Sequence, residues 1–474
     1  MICTSCCGLK RGNELPCPPS CTYFPFGLQA YDLFLKVNVS FTPKALEYTV
    51  KRAGRSRFRK VLERMDIGER DPESSIEISV PAAMLYFLSF YRDAGGKTVA
   101  DRWEEEGWAG LNNDERFMAK YRRFSFPTIV EVRKVLSGHT MECADALDPE
   151  GVPFVMFDRS IAWGTDRFSR YFIWVTRYPH FCRPEGGGLS VPYTVHDDFV
   201  KAIKKRAGKG DARRVYLAER FGELSTLLRT MITGYTEKMI KSMDLINGIA
   251  EYAVTGSREA IREILREKPD FDPDERDPKP GDPAGAEYYV WLRRGESKEI
   301  EKEMISYFSH EDEDQGIGAI GTLKLTLDRL VIDVFGGPKY EFAKEMVEKY
   351  FGREVTFHGE TVKDLSQEMT ARLLERSEWA SARPEEEREH IPRDVEQQLL
   401  EKFYLDHYTK FLGEPVPALK GRTPREAAVD PKMRPLLVEL MKSHLRQFSE
   451  MCRKKGFEMS IDWVLEELGL RELL

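Results

Sequence analysis

The chain has 474 residues, 41% apolar and 32% charged, with a formal net charge of -7. That balance excludes a disordered chain, and the length allows three or more domains. No apolar run approaches the roughly 18–20 residues a membrane helix needs, and a mildly acidic chain is not, as a whole, a non-specific polyanion binder.

Five of the eight cysteines, Cys3, Cys6, Cys7, Cys17 and Cys21, fall in the first 26 residues. Cys3-x-x-Cys6 and Cys17-x-x-x-Cys21 are two short thiol pairs, each with a spacing that delivers two thiolates to one tetrahedral zinc ion. The expectation is a zinc knuckle over 1–26 with Cys3, Cys6, Cys17 and Cys21 as ligands and Cys7 competing with Cys6. A closed four-thiolate set leaves no open position for water, so its role would be structural. Disulfides are the competing reading. The start lacks a basic region followed by an apolar core of about 7–15 residues, as a secretory leader has, and the scattered Cys143, Cys182 and Cys452 suit buried thiols in a reducing, cytoplasmic compartment.

Charge is uneven. Residues 1–60 hold ten lysines and arginines against three acids, a net of +7. Lys10, Arg11, Lys51, Arg52, Arg55, Arg57, Arg59 and Lys60 are the candidate phosphate contacts, with Tyr48 and Phe58 interleaved. The plainer reading is the solvated face of a helix.

Residues 27–124 read as a helical domain. Ala30–Phe41 carries both helical and strand character, and Pro43 is expected to open a helix. Ala82–Tyr91 is apolar nearly all round and predicts a buried helix. Gly95-Gly96 is a stop, and Thr98 caps the next helix. Residues 125–195 change texture to short β-branched and aromatic runs between turn signals, predicting a small antiparallel β domain, a meander or a small barrel. Residues 196–267 read as helical, broken at Gly208-x-Gly210 beside a basic cluster that includes Lys204, Lys205, Arg206 and Lys209. Residues 268–287, with five prolines and seven acids, read as a linker. A small ββαβ domain is expected over 288–366. Residues 367–474 are expected to be C-terminal helices after a charged connector, PEEEREHIPRDVEQ. The fold class is thus α+β multidomain. No Walker A, GxGxxG, HExxH or GxSxG motif is present, so no catalytic residue is nominated.

CCGLKR followed by CPPSC resembles the cysteine-rich knuckle of uncharacterised SEC-C-motif proteins, although it lies at the N-terminus and lacks the Cys-x-Cys-Gly-Ser-Gly opening. Residues 411–441 resemble the C-terminal segment of those proteins. They also resemble the toxin-binding domain of MbcA/ParS-type antitoxins, through Leu419, Gly421, Thr423, Pro424 and Glu426. The resemblance implies zinc and supplies no reaction.

The leading expectation is a zinc-stabilised, non-catalytic binding protein whose basic N-terminal region meets nucleic acid or a ribonucleoprotein such as the ribosome. The alternatives are an adaptor that docks a protein partner through 411–474, and a metal-dependent hydrolase or nuclease.

Overall fold

Helix capping written into the sequence sets many of the boundaries. Thr98, Asn112 and Thr423 each form a reciprocal capping box with the residue three positions on. The computed structural model describes residues 4–66, 72–148, 151–274, 283, 285–299, 319–370 and 393–474. Residues 275–282 and 284 of the expected acidic linker, and much of the charged connector, lie outside the described residues. The chain forms two compact units: Met1–Ile232 with Glu385–Leu474, and Thr233–Pro384. No described helix is long and apolar enough to cross a membrane.

The first unit begins with α1 (Thr4–Lys10) and five further helices: α2 (Tyr31–Ala53), α3 (Arg55–Met65), α4 (Pro72–Ser89), α5 (Val99–Glu105) and α6 (Asn113–Arg122). The ambiguous Ala30–Phe41 run is helical, and α2 continues through Pro43 instead of starting there. The Thr42 hydroxyl donates to the Asn38 carbonyl at 2.9 Å, a side-chain bond beside the ladder bond that Pro43 cannot make. α4 is buried from Ala82 to Leu88, as the composition of that stretch predicts.

A closed barrel follows: β1 (Phe126–Ser137), β2 (Thr140–Asp145), β3 (Phe154–Phe157), α7 (Arg159–Gly164), β4 (Arg170–Arg177) and β5 (Cys182–Ser190), in the order β1-β2-β3-β5-β4. The expected all-antiparallel domain is corrected at one seam, where β3 and β5 run parallel. This order, with a helix between β3 and β4, is that of an OB-type barrel. Register shifts interrupt the β1–β2 pairing between Val132 and Lys134 and between Val135 and Ser137, and Glu131, just before them, pairs with Ala144 on β2 and Arg170 on β4. Gly186, at φ +72°, and Gly187 let α4 lie directly on β5; a Cβ at Gly186 would stand 2.9 Å from Pro81, and one at Gly187 would stand 2.6 Å from Ile78.

α8 (Tyr193–Lys204), α9 (Asp211–Glu219) and α10 (Phe221–Ser242) come next, and the unit boundary falls within α10. The C-terminal part returns to the first unit as α13 (Arg393–Phe411), α14 (Pro424–Val429), α15 (Arg434–Lys455) and α16 (Asp462–Glu467), counted after the helices of the second unit.

The second unit is a six-stranded antiparallel sheet, β11-β6-β10-β9-β8-β7. Its elements are β6 (Ile246–Val254), α11 (Arg258–Glu267), β7 (Phe271–Pro273), β8 (Glu287–Leu292), β9 (Ala319–Leu325), β10 (Arg329–Phe335), α12 (Gly337–Phe351) and β11 (Val355–Asp364). The expected ββαβ unit is present as β9-β10-α12-β11. The expected helical segment 196–267 is corrected, because Ile246–Val254 is a strand inserted between β10 and β11. β11-β6-β10-β9 has the split β-α-β order of ferredoxin-like sheets, with β7 and β8 added at one edge. α11 and α12 share one core with the sheet.

Candidate nucleic-acid interface and the cysteine-rich N-terminus

Among the described residues the expected knuckle is not seen. Thr4–Lys10 is helical, so Cys6 and Cys7 ride on α1 and not on a turn; Cys3 lies outside the described residues. The segment is anchored by α6 instead. Arg11 makes a two-pronged pair with Asp114 at 2.9 and 2.5 Å, Asn13 bonds Asn113, and Phe24 and Phe26 pack on Phe117. Cys17 lies close enough to Cys7 and to Cys21 to interact with each electrostatically, with Arg11 beside Cys7 and Cys17. The Cys17 thiol contacts the Leu15 carbonyl at 3.6 Å, and its pKa is raised, first by burial. Among the described residues, no group of three or more His, Cys, Asp or Glu side chains is placed to hold a metal ion. Cys143, Cys182 and Cys452 are buried and not in disulfides, with the Cys182 thiol pushed up to about 12 by burial.

The eight candidate phosphate contacts divide. Arg11 is spent on Asp114, Lys10 pairs with Glu14 at 2.9 Å, and Arg52 lies 3.8 Å from Glu106. The remainder gather where α2 meets α3. Gly54, at φ +85°, makes the break that an L-residue would resist, and it swings α3 so that Phe58, Val61 and Met65 are buried. Lys51, Arg55, Arg57, Arg59, Lys60 and Arg64 then stand on the exposed side. The Arg57 and Arg64 guanidinium groups lie over the Tyr91 and Tyr86 rings at 5.7 and 4.8 Å, as cation–π pairs. Among the described residues, Lys51, Arg55, Arg59 and Lys60 have no acidic partner.

A second basic surface crosses the α8–α9 loop. Lys204, Lys205, Arg206 and Lys209 are exposed there, while Arg213 turns inward to the Leu147 carbonyl. Leu147 follows β2, so this loop borders the barrel.

Sequence reasoning missed a buried charge cluster between the barrel and α15. Glu131 pairs with Arg170 at 2.6 Å and Lys442 at 3.2 Å, and Arg170 also pairs with Glu439 at 2.5 Å. Burial works to raise the Glu439 carboxyl, but Arg170 and Lys442 outweigh it and hold the group at about 2. The partners come from residues some 300 positions apart in the chain, so no local pattern announces them. Of the histidines, His139 stacks on Tyr31, and His196 is buried on α8 with its pKa lowered, first by burial.

No family model matches this chain, and no curated protein or solved structure shows significant similarity to it.

Proposed function

We propose that this chain is a nucleic-acid-binding protein, acting on free nucleic acid or within a ribonucleoprotein such as the ribosome, and that the exposed face of α3 is its phosphate-contacting surface. The supporting observation is a set of four cations without acidic partners among the described residues: Lys51 in the last turn of α2, and Arg55, Arg59 and Lys60 on α3, a helix whose opposite face is buried. A basic face of this kind neutralises phosphates and releases counterions, so binding weakens steeply with salt. With four contacts, the slope of log K against log salt is about -3 to -4. Arg55→Glu with Arg59→Glu should weaken binding to every sequence alike and flatten that slope by roughly 1.5–2, read by fluorescence anisotropy across a salt series. Affinity independent of salt, or unchanged in the double variant, would sink the proposal.

A structural zinc ion held by Cys3, Cys6 or Cys7, Cys17 and Cys21 is the second part of the reading. It rests on Cys7 and Cys21 each lying within electrostatic reach of Cys17, and on the resemblance to the SEC-C knuckle. The described thiols do not compose a ligand set by themselves, and the fourth sulfur would come from Cys3. Metal content of purified wild type beside Cys17→Ser decides it: one zinc per chain lost in the variant supports the site, and equal metal-free protein in both removes it.

A further inference from the structure

Much of the barrel's outer surface is covered by the chain itself. α4 lies on β5, α9 on β1, and α6 reaches β4. The β4–β5 loop is also closed, because Tyr178 and Phe181 are buried against Phe34 and Tyr178 against Phe26. The β1–β2 hairpin differs. β1 is buried through Val132 and exposed from Lys134 to Ser137.

Between this hairpin and the segment leading into α2 lies a groove of about 440 Å3, within the usual size range of small-ligand sites. Tyr31 stacks on His139 there, with ring centroids 4.7 Å apart and planes 23° from parallel. The Arg159 guanidinium lies over the same tyrosine ring at 5.4 Å and pairs with Asp32 at 3.2 Å. The Arg159 backbone N–H donates to the Tyr31 hydroxyl at 3.0 Å. The stack is therefore preformed on a buried ring, while the Arg159 and Asp32 side chains remain 62% and 79% exposed. Gln29, Ser137 and Thr140 add amide and hydroxyl groups to the lining. One turn past Arg159 on α7, Trp163 is 84% exposed.

An unpaired base offers a flat π face and a polar edge, and a duplex hides both. The guanidinium and imidazole planes, held in place by the buried Tyr31 ring, complement the face, and the amide, hydroxyl and carboxylate groups complement the edge. Arg159 and Asp32 offset each other, so the groove adds little long-range attraction. It selects by shape and stacking, and the α3 face supplies the charge. We propose that this groove takes an unpaired base of a single-stranded nucleic acid, a proposal that rests on the nucleic-acid reading above and sharpens it to single strands.

The test is fluorescence anisotropy with labelled oligouridylate, oligothymidylate and a duplex of the same length, on the full chain. Wild type should favour the single strands, with Trp163 fluorescence quenched on binding. His139→Ala with Arg159→Ala should lose about tenfold or more of the single-strand affinity and leave duplex affinity unchanged. Trp163→Ala, on a side chain too exposed to matter for folding, should abolish the quench and lower single-strand affinity. Arg55→Glu with Arg59→Glu should weaken single strand and duplex together. A groove variant that keeps full single-strand affinity, or loses single strand and duplex equally, overturns the groove while the α3 reading stands. Absence of binding to any of these probes overturns both.

Discussion

Arg122 and Glu185 are both buried, and each is the other's charge partner, at 3.2 and 2.5 Å. Neighbouring polar groups support the pair: Asn38 and Thr42 accept from Arg122, Thr176 donates to Glu185, and Ser125 bonds Thr176. Removing one charge strands the other in a medium that cannot solvate it. Arg122→Met should cost about 3–5 kcal/mol, and adding Glu185→Met should recover much of that loss, because an apolar pair leaves no buried charge. Urea unfolding of the two variants checks this, and additive losses would refute it. His444 presents the opposite case, an ionisable group kept neutral. Burial, then the neighbouring His407, lowers its pKa from 6.5 to about 4. Between those values the unfolded chain binds more protons than the folded one, so stability is full above pH 6.5 and falls as pH drops towards 4. The loss is at most about 3 kcal/mol. Glu439, held at about 2 against an ordinary 4.5, takes over only below pH 4.5. His444→Phe, beside Phe411 and Tyr408, should flatten the upper window and spare the lower one in denaturant melts across pH. His196, lowered by burial and by Arg170, leaves part of the upper slope in place.

At the scale of elements, the joint between α4 and β5 depends on Gly186. A side chain there would meet Pro81 and would also sit at a φ that L-residues resist. Gly186→Ala should destabilise the first unit by about 2–4 kcal/mol, read as a lower denaturant midpoint with an unchanged slope; a neutral effect would mean that α4 moves freely over the strand. This glycine run was visible in the sequence, but its purpose was not, because α4 lies about a hundred residues earlier. The same division runs through the chain. Caps at Thr98 and Thr423, the buried helix over 82–91 and the strands of the barrel were legible because their signals are local. β6 was read as helix because INGIAEYAV follows a long helical stretch and contains alanines; its strand character comes from pairing with β10 and β11, far along the chain. Barrel closure through β3 and β5, and the groove beside His139, depend on contacts of the same long range. The basic run over 51–60 was legible as a run. Which of its members stay unpaired was not, since Arg52 finds its acid, Glu106, on another element.

On the scale of the molecule, the second unit interrupts the first in sequence, because its residues 233–384 lie between the two segments that make up the first. Its core draws only on its own residues, from Ala250 to Val355, and joins both helices to one face of the sheet. A segment of roughly 150 residues with one continuous core is large enough to fold alone. Residues 233–384 expressed by themselves should therefore unfold cooperatively, with dispersed amide resonances in the folded state. In the full chain, Ile332→Ala removes a fully buried side chain from β10 and should cost about 2–5 kcal/mol. If the two units are independent folding units, calorimetry of that variant will show one transition lowered and the other in place. If both transitions move together, or the isolated segment gives no cooperative melt, the second unit draws essential stability from outside its own core, and the division into two folding units is wrong.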